Sequence, residues 1–398
     1  MKLSNEIIRQ LYYADTLSIA ELSLCTEKSI PKVTDEVSGL VAAGVLQESG
    51  LAASTGGRRA MKHGLVAENL PFILTISVDQ FFTAIAVVDV KHQFVITSRQ
   101  VATQIHEDET AFDTIITVAK QVREELPSGA SCIVGLTMPG FVDSEKGVNH
   151  SFPITSPFYE IKKNVESALG LPTSVANDSS AIAIAEHKFN KNNHANQDIL
   201  VINFNWGVGL GMIIGGQLYT GHSGYAGEFS HIPLANSYKL CSCGKKGCLE
   251  VEASILAVME NVHNALADGE PSFLQQVLDR QAHILFSDVV RAFELGDQVA
   301  LKAVSKSMHM LGKGLSTLIH IMNPERIIMS GKAGIFGEAL LPALHSSIQE
   351  YCIPRLLRFT TVSISDTQNI QTIAAACTAV QQTTLIQPQI TQLNLQQL

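Results

Sequence analysis

Four residues near the middle of the chain, His231, Cys241, Cys243 and Cys248, follow the spacing H-x9-C-x-C-x4-C. Three thiolates and one imidazole form a soft donor set that suits tetrahedral Zn2+, and four protein ligands leave no open position for catalysis. Any fold that contains this segment must bring its two ends together. Gly244 and Gly247 let the backbone turn tightly between them. The other cysteines, Cys25, Cys132, Cys352 and Cys377, are scattered among apolar neighbours and read as buried reduced thiols. One cluster beside scattered singles indicates metal rather than disulfides. The expected cofactor is a structural Zn2+.

The 398 residues exceed what one hydrophobic core usually serves, so two or three domains are expected. With 46% apolar and 16% charged residues the chain is globular rather than disordered. A net charge of −9 argues against diffuse coating of nucleic acid but leaves room for a small DNA-binding head. Met1–Gln10 lacks an apolar leader core, and no apolar run approaches a membrane span. The chain reads as cytoplasmic, without membrane contact.

Residues 1–65 read as three short helices and a hairpin. Ile7, Ile8 and Leu11 share a face of the first, and Ser18 with Glu21 makes a capping box for the second. Ser29 is placed to cap the third, where Val33, Val37, Leu40 and Val41 follow helical spacing. Two extended runs then flank the turn Ser54-Thr55-Gly56-Gly57, a β-wing. That order is the winged helix-turn-helix pattern. Lys28 and Lys32 bracket the start of the third helix, and Arg58, Arg59 and Lys62 follow the wing turn, so these five are the expected DNA contacts. Seven cations against seven anions leave the head neutral overall, and Asp35 and Glu36 sit awkwardly on the recognition helix.

From Pro71 two successive rounds of strands followed by helices suggest a duplicated α/β architecture with a cleft between lobes. The expected division is a head at 1–65, a first lobe at 71–188 joined by a C-terminal helix at 370–383, and a second lobe at 189–369. A Gln-rich tail covers 384–398.

The run Gly227-Glu228-Phe229-Ser230-His231, followed by Cys241-Ser-Cys-Gly-Lys-Lys-Gly-Cys248-Leu-Glu250, resembles the signature of the ROK (repressor, open reading frame, kinase) family. The resemblance extends over about residues 70–385. It implies an actin-like hexokinase fold, ribonuclease H-like and duplicated, carrying here an N-terminal winged helix-turn-helix. The head makes the chain similar to the family's repressor branch, the glucose- and N-acetylglucosamine-responsive regulators. The resemblance also implies a sugar site at Asn177, Asp178, Glu228, His231 and Glu250, with Gly140 alongside. Paired hydrogen bonds from carboxylates and amides read a sugar's hydroxyl pattern, and leaving them unpaired rejects the wrong one.

Asp178 matches the catalytic base of the family's kinases. The kinases' phosphate turn, Asp-x-Gly-Gly-Thr, is Ser77-Val78-Asp79-Gln80-Phe81 here, followed by Phe82. Two glycines have become residues with side chains, one of them anionic, which opposes close approach of backbone N–H groups to phosphate. A second turn, Asn205-Trp206-Gly207-Val208-Gly209-Leu210-Gly211, is eroded as well. ATP and Mg2+ are therefore not expected as cofactors. The expected function is a sugar-responsive repressor of operator DNA, acting as a homodimer or tetramer. An active sugar kinase with a regulatory head is the alternative, and control by a sequestering protein partner a further possibility.

Overall fold

Elements form where apolar residues recur every second position, or every third and fourth. The structure, a computed structural model, describes residues 2–51, 59–189 and 198–385. The N-terminal part comprises α1 (Leu3–Ala14), β1 (Thr16–Ser18), α2 (Ile19–Thr26), α3 (Ile30–Ala42), β2 (Leu46–Leu51) and β3 (Met61–Leu65). The capping box is present: the Glu21 N–H donates to Ser18 Oγ, and the Ser18 N–H donates to the Glu21 carboxylate at 2.7 Å. Ser29 occupies the N-cap of α3 without a side-chain cap bond, and Pro31 pre-sets the backbone of the first turn instead. Ile7, Ile8, Leu11, Leu22, Val33 and Val37 form the buried core of this head. β3 lies between β1 and β2, antiparallel to both, which is a winged-helix arrangement. Its turn at Ser54–Gly57 lies outside the described residues. Cys132, Cys352 and Cys377 are buried, but Cys25 is exposed. The reason is that α2 is short and turns only Leu22 and Thr26 inward.

Two five-stranded sheets follow. The first holds β4 (Phe72–Val78), β5 (Phe82–Val88), β6 (Phe94–Ala102), β7 (Cys132–Met138) and β10 (Thr173–Asn177). Between its strands come α4 (Ala111–Glu124), the small pair β8 (Val142–Asp143) and β9 (Val148–Asn149), and α5 (Ile161–Leu169). The order is β10-β7-β4-β5-β6, antiparallel across the first three strands in chain order and parallel for the last two. After α6 (Asp178–Phe189), the second sheet repeats the plan with β11 (Ile199–Phe204), β12 (Val208–Ile214), β13 (Gln217–Leu218), β14 (Arg326–Gly331) and β15 (Thr361–Ile364). Its order, β13-β12-β11-β14-β15, is the same fifth-fourth-first-second-third succession read from the other edge. Two copies of this ribonuclease H-like sheet make the actin-like hexokinase fold. Residues of β7 and β11 are buried throughout, as central strands covered on both faces require.

The helices of the second round are α7 (Glu250–Ala253), α8 (Ile255–Ala267), α9 (Phe273–Gln281), α10 (Phe286–Glu294), α11 (Gln298–Met322), α12 (Ala333–Phe336), α13 (Leu341–Tyr351) and α14 (Pro354–Leu357). The chain closes with α15 (Ile370–Gln382). Asp297 caps α11 through the N–H groups of Val299 and Ala300, and the helix buries a stripe including Val304, Met308, Leu311, Leu315 and Ile319. None of the described helices is long and apolar enough to cross a membrane.

The chain divides after Asp178 and after Ile370 into two compact units. One holds the head, the first sheet and α15 from Gln371 onward; the other holds the second sheet and α6 from Ser179 onward. In each, a helix lies on its sheet at glycine. A β-carbon on Gly135 of β7 would meet the carbonyl oxygen of Ala375 in α15 at 1.9 Å. On Gly209 and Gly211 of β12 it would meet Ser179 Oγ at 1.9 Å and the Ala183 methyl at 2.3 Å. Gly135→Ala must push α15 off the first sheet and should cost about 1–3 kcal/mol. A denaturant titration that returned wild-type stability for this variant would show that the close contact is not made.

Candidate functional site

The Cys/His segment is knotted by its own backbone. The Cys241 N–H bonds Lys245 O, the Gly247 N–H bonds Lys239 O, the Ala235 N–H bonds Gly247 O and the Leu249 N–H bonds Ile232 O. The ligand atoms of His231, Cys241, Cys243 and Cys248 consequently all lie within 4.8 Å of one another, a cluster that could hold a metal ion. Helix α11 sets the cluster's place. A leucine side chain, Leu249, fills the space that Gly314 leaves on α11, where a β-carbon would come within 2.5 Å of Leu249 Cδ2. Lys313, the preceding residue of that helix, donates to Leu234 O.

Three of the residues expected to bind sugar surround this cluster. His231 presents Nδ1 to Cys241 Sγ at 3.5 Å and Nε2 to the Glu228 carboxylate at 3.5 Å. Burial raises the pKa of Glu228; His231 beside it opposes that shift, and the charge of Glu250 adds to it. Glu250 opens α7 rather than lying on a strand, so its position is set by a helix start. One of its oxygens lies 3.6 Å from Cys241 Sγ, and the other accepts the Val208 N–H at 3.2 Å. A β-carbon on Gly207 would stand 2.5 Å from that second oxygen. Glu250 thus bridges the Cys/His knot and the turn Asn205–Gly209 that follows β11.

Three further expected residues sit in the other unit. Asn177 ends β10, Asp178 begins α6, and the Asn177 side-chain amide donates to Gly140 O at 3.0 Å. Gly140 has φ +101°, and a β-carbon there would meet Ser151 Oγ at 2.4 Å, so only glycine fits the turn after β7. Two residues missed in the sequence hold that turn. The buried Asn149 donates to Pro139 O and accepts the Ser151 N–H, and Ser151 Oγ accepts the Phe141 N–H.

The loop expected to correspond to the kinases' phosphate turn, between β4 and β5, is a tight hairpin. The Asp79 N–H bonds Phe82 O, and the Asp79 carboxylate accepts the Gln80 N–H at 2.6 Å. In the second eroded turn, Trp206 packs edge-on against Phe286, with Lys332 Nζ 5.9 Å from its ring centre. A further polar knot had no signal in the sequence. The buried carboxylate of Glu186, late in α6, accepts from Ser330 Oγ at 2.5 Å, Ser365 Oγ at 2.6 Å and Thr367 Oγ1 at 3.4 Å. Burial raises its pKa against the opposing pull of those hydroxyls.

In the head, Lys28 and Lys32 are exposed at the start of α3 and Arg59 at the base of the wing. Lys62 is half-buried, 4.0 Å from the Glu21 carboxylate. Arg58 lies outside the described residues.

The sequence profile of the ROK family matches residues 75–382. The chain belongs to the ROK family. Among its relatives is the DNA-binding transcriptional dual regulator NagC of Escherichia coli (strain K12), 28% identical over 340 residues, or 83% of this chain and 80% of NagC. A solved ROK family transcriptional regulator, a homologue of the E. coli MLC protein, superposes with a TM-score of 0.70 at 23% identity. That match covers 95% of this chain and 96% of the other, so the likeness of fold includes the head. A ROK glucokinase from Streptomyces griseus, solved with glucose and AMPPNP, gives 0.66 at 27% identity over 78% of this chain and 99% of that one.

The contact between Gly207 and Glu250 is open to test. The Glu250 side chain, being the flexible partner, should move when Gly207→Ala adds a methyl group. Emission from the adjacent Trp206, the only tryptophan, is expected to shift. The thermal midpoint should stay within about 2–4 °C of wild type, the equivalent of roughly 1 kcal/mol. Unchanged emission would mean that Glu250 is not wedged against the turn.

Proposed function

We propose that this ROK chain is a sugar-responsive repressor. Its winged-helix head binds operator DNA, and the residues proposed to recognise a hexose or N-acetylhexosamine are Gly140, Asn177, Asp178, Glu228, His231 and Glu250. The observation that carries the reading is the pairing of a DNA-binding head with a body whose phosphate turn is closed by its own Asp79 side chain. An anionic carboxylate folded onto the backbone N–H of Gln80 takes up a donor that a nucleotide phosphate would need, and repels the phosphate as well. Similarity to NagC along most of both chains supports the same reading. Lys28, Lys32, Arg58, Arg59 and Lys62 are the proposed DNA contacts. Paired heads reading two half-sites call for a homodimer or tetramer, and the site of action is the cytoplasm.

Zn2+ suits the Cys/His cluster. Tetrahedral bonds of about 2.3 Å to sulfur and about 2.0 Å to nitrogen separate the donors by roughly 3.5–3.8 Å. His231 Nδ1 to Cys241 Sγ is 3.5 Å, and Cys243 Sγ to Cys248 Sγ is 3.6 Å. Burial and the two neighbouring thiols push the Cys248 thiol up to about 12, a penalty that a dication among the donors removes. The role of the ion is structural: it fixes His231, which meets Glu228, and Cys241, which meets Glu250. The purified chain should carry about one equivalent of zinc, and Cys243→Ser should lose it and melt at lower temperature. Full zinc occupancy in that variant would remove Cys243 from the ligand set.

A second reading, an active sugar kinase, draws on Asp178, which starts α6 where a base would stand, and on the glucokinase likeness. ADP release from Mg-ATP with hexoses, N-acetylhexosamines and their 6-phosphates separates the two. The repressor reading predicts no turnover above background. It also predicts that one of these sugars releases the chain from the DNA fragment it selects out of a random pool. Asp178→Ala and Glu250→Ala should each weaken that sugar at least tenfold, about 1.4 kcal/mol. Sugar affinity and sugar-dependent release left intact in both variants would overturn the proposed site.

A further inference from the structure

Helix α1 is more than part of the head. Its outer side is seated on the first lobe. Arg9 Nε donates to Val380 O of α15 at 3.0 Å, and the Asn5 side-chain amide donates to Thr384 Oγ1 at 3.4 Å. Tyr12 is buried and Tyr13 half-buried, both beside Cys377. The β5–β6 turn contributes His92, whose Nε2 lies 3.1 Å from Tyr12 O and whose ring packs edge-on to Tyr12 at 4.3 Å. The first helix of the head therefore contacts both a hairpin of the first lobe and the end of α15.

That same end of α15 holds the strand that presents the sugar corner. Gln382 Nε2 donates to Val175 O at 3.0 Å, and Thr383 Oγ1 shares a 2.8 Å hydrogen bond with Ser174 Oγ. Val175 lies two residues before Asn177 on β10, about 6–7 Å along the strand. Residues 380, 382, 383 and 384, at the end of α15 and just after it, thus make four bonds within five residues. Two of them go to the strand behind Asn177–Asp178, and two go to α1 of the head. The far end of α15 is pinned separately, by Ser77 Oγ donating to Gln371 O and by the contact at Gly135. The end of α15, where the helix stops and its last carbonyls lack intrahelical partners, is where bonds are remade most cheaply.

We propose that the C-terminal end of α15 with the two residues after it, Val380–Thr384, is the relay through which occupancy of the Asn177–Asp178 corner reaches the DNA-binding head. A shift of β10 when a sugar bonds Asn177 moves Gln382 and Thr383, and with them the seats of Arg9 and Asn5. Gln382, Thr383 and Ser174 are positioning residues in this relay, touching neither sugar nor DNA. The inference rests on the sugar-responsive reading above, and its test is arranged so that the two fail separately.

The full-length chain and its Gln382→Ala and Ser174→Ala variants are titrated with the DNA fragment selected by the wild type. This is done with and without N-acetylglucosamine, glucose and their 6-phosphates. Sugar affinity is measured in parallel by calorimetry, without DNA. Gln382 is exposed, so its truncation leaves the packing alone. Both variants should bind sugar and sugar-free DNA within about twofold of wild type, while the factor by which sugar weakens DNA binding falls at least fivefold. Thr383→Ser, which keeps the hydroxyl, should preserve the wild-type factor. Variants that bind both ligands and keep that factor would overturn the relay while leaving the repressor reading intact. A wild-type chain that binds DNA but responds to none of the sugars would overturn the repressor reading and the relay with it.

Discussion

Helix backbone lying closer to a sheet than a β-carbon permits is the constraint on which the rest of this structure depends. Each five-stranded sheet is crossed by a helix at glycine: α15 over Gly135 of the first, and α6 over Gly209 and Gly211 of the second. The connectivity makes these contacts reciprocal. The last strand of the first sheet, β10, leads into the helix that covers the second sheet, and the last strand of the second, β15, leads into the helix that covers the first. Each sheet is thus covered by a helix that the chain reaches from the last strand of the other. Asn177–Asp178 lie just before one of these crossings.

The same economy of space governs the chemistry. Gly207 leaves room for the Glu250 carboxylate, and Gly314 leaves room for the Leu249 side chain beside it. The Cys/His knot is thus fixed from α11 behind and from the β11–β12 turn in front, with Glu228 and Glu250 held against it. Carboxylates clustered this closely, one with its pKa raised by burial, favour a partner rich in hydroxyl donors over an anion. The turn after β4 is occupied from within, since the Asp79 carboxylate accepts the Gln80 N–H.

Much of this was legible in the chain itself, and the reasons are local. The Ser18–Glu21 box, the apolar stripe of α11, the fully buried runs of β7 and β11 and the spacing of His231 with its three cysteines each depend on near neighbours. Contacts made between distant segments left no such trace. Nothing near Glu186 announces that Ser330, Ser365 and Thr367 will surround it, nor does Arg9 advertise a carbonyl at Val380. The motif does not show which element presents Glu250; the backbone knot of the metal segment delivers it to a helix start. Cys25 looked buried because its neighbours are apolar, yet a helix as short as α2 has only one inward face.

Seating α1 on α15 also orders events in time. A ribosome releases α1 long before α15, and chains fold from the N-terminus as they emerge. The head can close over Ile7, Leu22 and Val33 early, but the carbonyl that receives Arg9 and the side chains that meet Tyr12 and Tyr13 do not yet exist. A chain cut short before Gln371 has a folded head with no seat, and a first sheet bare at Gly135. The DNA-reading part is the first made and the last put in place.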